Sequence, residues 1–86
     1  MPKISEFFGI CIYVYFRDHN PPHFHVIYSE HKAAIKIDDL TIIEGKLPPR
    51  VYGMVVEWAT MHQVELMDNW NKAAIPTSLE KIQPLK

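Results

Sequence analysis

Three of the five histidines in this chain lie within one seven-residue stretch that directly follows Asp18. Imidazole is the side chain most used for proton transfer near neutral pH, and it is also a frequent ligand of transition metals. A neighbouring carboxylate can serve either chemistry, as the partner of a histidine or as a further metal ligand. The segment with the clearest capacity for chemistry is therefore Asp18-His19-Asn20-Pro21-Pro22-His23-Phe24-His25.

Metal binding is the first chemistry that this segment suggests. His23 and His25 have the spacing of two residues on one face of a β-strand, with Cα atoms about 6.6 Å apart. Imidazoles that lean together from this spacing can share one ion such as Zn²⁺. Asp18, His19, Glu30 or His31 in the flanking turns could complete such a site. The metal hypothesis centres on Asp18, His19, His23 and His25, although the main interpretation of the sequence requires no cofactor.

Acid–base catalysis without a metal is the second chemistry. With His19, His23 and His25 as candidates, one histidine would act as base and another as acid, which suits cleavage of RNA beside its own 2′-hydroxyl. A purely structural explanation also stands, in which the histidines make ordinary hydrogen bonds and Asp18 stabilises the turn. Because no recognised catalytic signature accompanies the histidines, an enzyme is the less favoured interpretation.

Composition narrows the class of protein. A chain of 86 residues corresponds to one domain, 1–86. Its net charge is −1 and its nine Lys and Arg residues are scattered, so the charge does not indicate nucleic-acid binding. The single cysteine, Cys11, points to a reducing compartment. The apolar run over residues 7–16 has about half the length that a membrane span needs. These features predict a cytoplasmic protein that does not enter membranes.

Apolar and aromatic residues alternate through the first half of the chain and predict β-strands over about 8–16, 23–28, 32–38 and 40–44. In the first strand, Ile12 and Val14 fall on one face, and Tyr13 and Tyr15 fall on the other. The links between the strands are short, which favours antiparallel neighbours in a meander.

The second half of the chain predicts one long helix over about 49–74, followed by a tail, 77–86. Pro49 suits the first helical turn, and apolar residues that include Trp58 recur at three- and four-residue spacing. His62 falls within this apolar face, where a hydrogen bond to a strand carbonyl would satisfy it, although its role stays open. The predicted fold is α+β: an antiparallel meander of three to four strands packed on one face by a single long C-terminal helix.

One helix leaves the other face of the sheet uncovered. Tyr13 and Tyr15 lie on that face, and amphipathic aromatic residues suit an interface. His23 and His25 are predicted to lie exposed on the same face, because Phe24 and its alternate neighbours make the better core. Tyr13, Tyr15, His23 and His25 are therefore the predicted partner-binding residues. The expected partner is a second copy of the chain or a cognate small protein.

Short motifs along nearly the whole chain, in the same order, resemble those of the small bacterial DUF4160 proteins. They are Met1-Pro2-Lys3-Ile4-Ser5, Phe8-Gly9-Ile10, His19-Asn20-Pro21-Pro22-His23-Phe24-His25, Glu44-Gly45-Lys46-Leu47-Pro48, Glu57-Trp58-Ala59, Asn69-Trp70 and Pro84-Leu85. The resemblance implies a bacterial, cytosolic, single-domain protein of uncharacterised function. It also implies a gene that often lies beside that of another small protein, in an arrangement like a toxin–antitoxin pair. It implies no catalytic residues.

Together, the residues and the resemblance favour a non-enzymatic interaction module or a component of a toxin–antitoxin-like pair. The alternative is a small histidine-based hydrolase, such as an RNase, with or without a divalent metal. The sequence does not identify the partner or substrate, the side of the pair or the oligomeric state.

Overall fold

The computed structural model describes residues 2–75 and 78–86. In this part of the chain, a five-stranded sheet precedes two helices, with the elements β1 (Lys3–Phe7), β2 (Ile10–Tyr13), β3 (His23–Tyr28), β4 (His31–Lys36), β5 (Ile42–Gly45), α1 (Pro49–Thr60) and α2 (Gln63–Ala73). The strands lie in chain order, and each pairs with the next in antiparallel fashion. The predicted α+β class and antiparallel meander are confirmed. The predicted numbers of strands and helices are wrong.

The strand predicted over 8–16 is shortened to β2, Ile10–Tyr13, and the edge strand β1 was missed. Phe8 and Gly9 both have positive φ angles, 49° and 78°, and form the tight turn between β1 and β2. Glycine takes that conformation without steric cost, whereas Phe8 is held in it by the strands on either side. The apolar pattern of β1 is concealed by Ser5, which is buried and donates a hydrogen bond to the carbonyl oxygen of Ile82.

The later strands follow the predicted positions more closely. β3 has the predicted bounds, whereas β4 and β5 are displaced by one to two residues from 32–38 and 40–44. The reason is a tight turn in which Leu40 has a positive φ of 61°. Asp39 Oδ1 accepts hydrogen bonds from both the backbone N–H and the hydroxyl of Thr41. This side-chain bonding ends β4 before the apolar alternation ends.

The helix predicted over 49–74 is two helices that are separated by Met61 and His62. Unbroken, it would be about 39 Å long at about 1.5 Å per residue, whereas the longest dimension of the molecule is 33 Å. The break turns α2 across one end of the sheet, where the Gln63 amide donates to the Ile37 carbonyl oxygen at 2.9 Å. Neither helix of the described chain is long and apolar enough to cross a membrane. Residues 76 and 77, the second of which is the predicted start of the tail, lie outside the described residues.

The core is centred on Trp58 of α1, which is fully buried. Its ring lies 5.4 Å from that of Phe7 and 6.1 Å from that of Phe24, measured between centroids. Its indole N–H donates to the carbonyl oxygen of Gln83 at 2.8 Å. Ile82 of the tail is also buried, and its N–H donates to the Ile4 carbonyl oxygen. The tail therefore closes the core beside the edge strand β1.

Candidate functional site

The loop between β2 and β3 carries Asp18 to the start of β3. Oδ1 of Asp18 accepts a hydrogen bond from the backbone N–H of His19 at 2.9 Å. The Asn20–Pro21 peptide that follows is cis. Arg17, just before the carboxylate, donates its backbone N–H to the Ala73 carbonyl oxygen at 3.0 Å, which ties this loop to the end of α2. The carboxylate is thus oriented by a hydrogen bond within its loop, and the loop itself is anchored to α2.

Oδ2 of Asp18 meets two imidazoles at once. It lies 2.8 Å from Nε2 of His25 and 2.9 Å from Nε2 of His23. One ligand atom from each residue lies within 4.8 Å of the other two. These three residues are termed the Asp–His cluster. The strand period accounts for the histidine pair, because His23 and His25 alternate with Phe24 on β3.

His19, the fourth residue of the predicted metal site, lies at the rim of the Asp–His cluster. Its Nδ1 is 3.1 Å from the other carboxylate oxygen, Oδ1 of Asp18, and its side chain is 84% exposed. Its ring centroid lies 5.5 Å from that of His23. The structure therefore brings His19 close to the cluster without including it among the atoms that converge on Oδ2.

The hydrogen-bond partners of His23 determine where its first proton lies. Nδ1 of His23 is 2.6 Å from the carbonyl oxygen of Pro21. A carbonyl oxygen only accepts, so Nδ1 must carry the hydrogen and donate it. In the neutral ring, Nε2 then has a lone pair next to Asp18 Oδ2. His25 differs, because its Nε2–H can donate directly to that oxygen.

The predicted exposure of the two histidines is wrong for His23, which is 2% exposed. Its ring centroid lies 5.2 Å from that of Trp70, because α2 crosses the end of the sheet where β3 begins. His25 is partly covered, with its ring stacked on Tyr15 at a centroid distance of 3.9 Å and an angle of 13°. Sequence reasoning missed Trp70 as a neighbour of the site, since a continuous helix would have carried it away from β3.

The charge state of the cluster favours an ionised Asp18. Burial by itself raises the pKa of this carboxyl. The hydrogen bonds from His25 and from the His19 backbone, together with the positive charge that His23 and His25 can carry, outweigh burial and hold the pKa below its ordinary value. The pKa of the adjacent Tyr15 is raised, first by burial and then by Tyr13 and Asp18. Asp18 is therefore an anion at neutral pH beside a neutral phenol.

A small cavity adjoins the Asp–His cluster. It has a volume of about 280 Å³ and is lined by Tyr15, Asp18, Asn20, Trp70, Ala73 and Ala74. This volume is just under the range of about 300–1,000 Å³ that is typical of small-molecule sites. Because Asp18 belongs to both the cavity wall and the cluster, a small ligand in the cavity would contact the carboxylate.

The sheet face opposite the core is a second candidate site. Backbone pairing aligns side chains from β2 to β5 in two rows across it. This surface is termed the open face and consists of Cys11, Tyr13, His25, Ile27, Lys32, Ala34 and Glu44. A cavity of about 290 Å³ lies on it, over Ala34 and between His25 and Glu44. Tyr15 extends the face through its stacking on His25, so the predicted residues Tyr13, Tyr15 and His25 lie together.

His62 belongs to neither site. It is the residue before α2, and its Nδ1 lies 2.6 Å from Oε1 of Glu65 in the first turn of that helix. Its ring centroid is 5.5 Å from that of Trp58. The predicted bond to a strand carbonyl is wrong, because the break in the helix gives His62 a partner within its own turn.

Comparison with known proteins identifies the family. The family model described as "Domain of unknown function (DUF4160)" matches residues 9–71. The chain belongs to the DUF4160 family. The DUF4160 match contains the Asp–His cluster and every residue of the open face, and it stops within α2. No curated protein and no solved structure matches the chain.

Proposed function

We propose that this DUF4160 protein is a non-enzymatic interaction module that binds a protein partner through the open face. The observation that supports the proposal is the arrangement of that face, which has an apolar centre and a charged rim. Cys11, Tyr13 and Ile27 at the centre are only partly buried, and none of them packs in the core around Trp58. Protein interfaces combine an apolar centre with a polar rim in this way, and tyrosine is enriched in them.

The rim carries both signs of charge. On the β1 side, Lys3 pairs with Glu6, and the backbone register places them beside Tyr13 and Cys11 respectively. On the far side, Lys32 and Glu44 are exposed. A nucleic-acid surface requires a basic stripe, whereas a mixed rim fits the mixed charges of another protein.

The 290 Å³ cavity over Ala34 is the place where the partner would dock. Ala34 is 3% exposed and has a small side chain, whereas its neighbours across the strands, His25 and Glu44, are larger. An apolar side chain of the partner could insert between them, which is how anchor residues bind at interface centres. The proposed partner is a second copy of the chain or a cognate small protein in the bacterial cytosol. A toxin–antitoxin-like pair, which the family resemblance implies, fits this proposal.

The test adds charge at the centre of the open face. The variant Tyr13→Glu with Ile27→Glu is compared with Val64→Glu, which adds a charge of the same sign at a side chain that is 77% exposed on α2. Sedimentation of the purified protein tests self-association, and co-expression with the product of the adjacent gene tests a cognate partner. We expect the complex to be lost in the double variant and kept in Val64→Glu, with circular dichroism unchanged in both. A wild-type protein that is monomeric and binds no neighbouring product would overturn the proposal.

A second function, a small histidine-based hydrolase, is favoured by one specific observation. The hydrogen bond between Asp18 and His25 Nε2 is of the kind that orients a general base, and it lies beside the 280 Å³ cavity. RNA cleavage is the reaction to assay, with His25→Ala against His31→Ala as a control. If the protein is such an enzyme, loss of the base should slow turnover by about 10²–10⁴-fold. Wild-type turnover equal to that of His25→Ala would exclude this function.

A further inference from the structure

We propose that the Asp–His cluster binds one divalent first-row transition metal ion of the Zn²⁺ type through Asp18 Oδ2 and the Nε2 atoms of His23 and His25. This inference does not require partner binding at the open face, although His25 belongs to both sites. It rests on the geometry of the cluster and on the groups that orient its ligands.

The contact between His23 and Asp18 indicates a position for a cation. Nδ1 of His23 already donates to the Pro21 carbonyl oxygen, so the neutral ring turns a lone pair towards Oδ2 at 2.9 Å. Two lone-pair atoms at this distance repel each other unless a positive charge lies between them. A metal ion bound between the two atoms supplies that charge and accepts both lone pairs.

Each of the three ligand side chains is already oriented by a neighbouring group. Metal-binding histidines commonly donate their other N–H to a backbone carbonyl, which fixes the tautomer and orients the ring. His23 does so with Pro21 at 2.6 Å. Asp18 is oriented by the backbone N–H of His19 on its second oxygen, and His25 is held by its stacking on Tyr15. All three ligands are therefore preorganised.

The spacing of the ligand atoms needs only a small adjustment. With metal–ligand bonds of about 2.0–2.1 Å, tetrahedral ligand atoms lie about 3.3 Å apart. The distances from Oδ2 to the two Nε2 atoms are 2.8 and 2.9 Å. A shift of about half an ångström by the loop carboxylate would open the triangle. As Nε2 of His25 binds the metal, its hydrogen would leave and Nδ1 of the same ring would take up a proton, so that the ring stays neutral.

The donor set also selects the class of ion. Two imidazole nitrogens and one carboxylate oxygen suit Zn²⁺ and its first-row neighbours, whereas Ca²⁺ and Mg²⁺ prefer oxygen ligands alone. Three protein ligands leave a position for water, and Asp18 borders the 280 Å³ cavity from which water could reach it.

The experiment is a calorimetric titration of chelator-treated full-length protein with ZnCl₂ alone. We expect saturable binding of one ion per chain. Asp18→Asn and His25→Gln should each weaken binding by at least about 100-fold, since loss of an outer-shell partner alone weakens metal sites about 10–100-fold. His31→Ala and His62→Ala, which alter two histidines that do not contact the cluster, should bind like the wild type. Ca²⁺ and Mg²⁺ should not compete.

Two further measurements keep the test decisive. Circular dichroism of Asp18→Asn and His25→Gln shows that each variant is folded, so His23, which is buried, need not be replaced. Nitrogen NMR of the histidine rings should show Zn²⁺ shifting Nε2 of His23 and His25 and leaving His31 unchanged. The proposal is overturned if Zn²⁺ does not saturate at one ion per chain, or if Asp18→Asn binds with wild-type affinity. Because Asp18→Asn leaves every residue of the open face intact, failure of metal binding is distinct from failure of partner binding.

Discussion

At the scale of single residues, the two histidines of β3 differ in what they contribute to stability. His23 packs under Trp70 and donates to the Pro21 carbonyl oxygen, whereas the ring of His25 is partly solvent-exposed. We expect His23→Ala to lower the free energy of unfolding by about 2–3 kcal/mol, because it creates a cavity and removes a buried hydrogen bond. Urea denaturation measures this. His31→Ala on β4 is the control and should stay within about 0.5 kcal/mol, and equal midpoints for the two variants would contradict the observed burial.

The pairing of His23 and His25 could be predicted from the sequence, whereas the burial of His23 could not. A period of two places His23 and His25 side by side wherever the strand lies, so their pairing was predicted correctly. The burial of His23 depends on Trp70, which is 47 positions further along the chain and arrives only because α2 changes direction. Local patterns carry no information on such a contact.

At the scale of elements, the tail is joined to α2 through one buried side chain. Asn69 is 1% exposed, its amide donates to the Glu80 carbonyl oxygen at 2.9 Å, and its Oδ1 accepts from the Glu80 N–H at 2.8 Å. We expect Asn69→Ala to release the tail and to lower the free energy of unfolding by about 1–3 kcal/mol, since two backbone groups of Glu80 lose their buried partner.

Amide hydrogen exchange measures this release. The N–H of Ile82, which bonds to the Ile4 carbonyl oxygen, should exchange faster in Asn69→Ala, while amides in the centre of the sheet keep their protection. Asn71→Ala, at an exposed position on the same helix, is the matched control. Unchanged exchange at Ile82 would mean that apolar contacts alone hold the tail.

The ends of a strand or helix could be predicted where local sequence signals mark them. β3 was predicted with its observed bounds because Pro22 precedes it and a turn at Ser29 follows it, so both ends have local signals. The break at Met61 and His62 has no proline or glycine to mark it. The break accompanies contacts between α2 and the sheet, which join residues far apart in the chain. β1 escaped prediction for a related reason, since its buried Ser5 is satisfied by the tail.

At the scale of the whole molecule, sheet, helix and tail meet at Trp58. Its ring contacts strand residues Phe7 and Phe24, and its N–H bonds to Gln83 of the tail. Trp58→Ala should lower the free energy of unfolding by about 3–5 kcal/mol, which is close to the full stability of so small a domain. Trp58→Phe keeps most of the packing and loses the hydrogen bond, so it should cost less, about 1–2 kcal/mol. Both are measured by urea denaturation with circular dichroism. If Trp58→Ala unfolds at the wild-type midpoint, the three layers do not share one cooperative core.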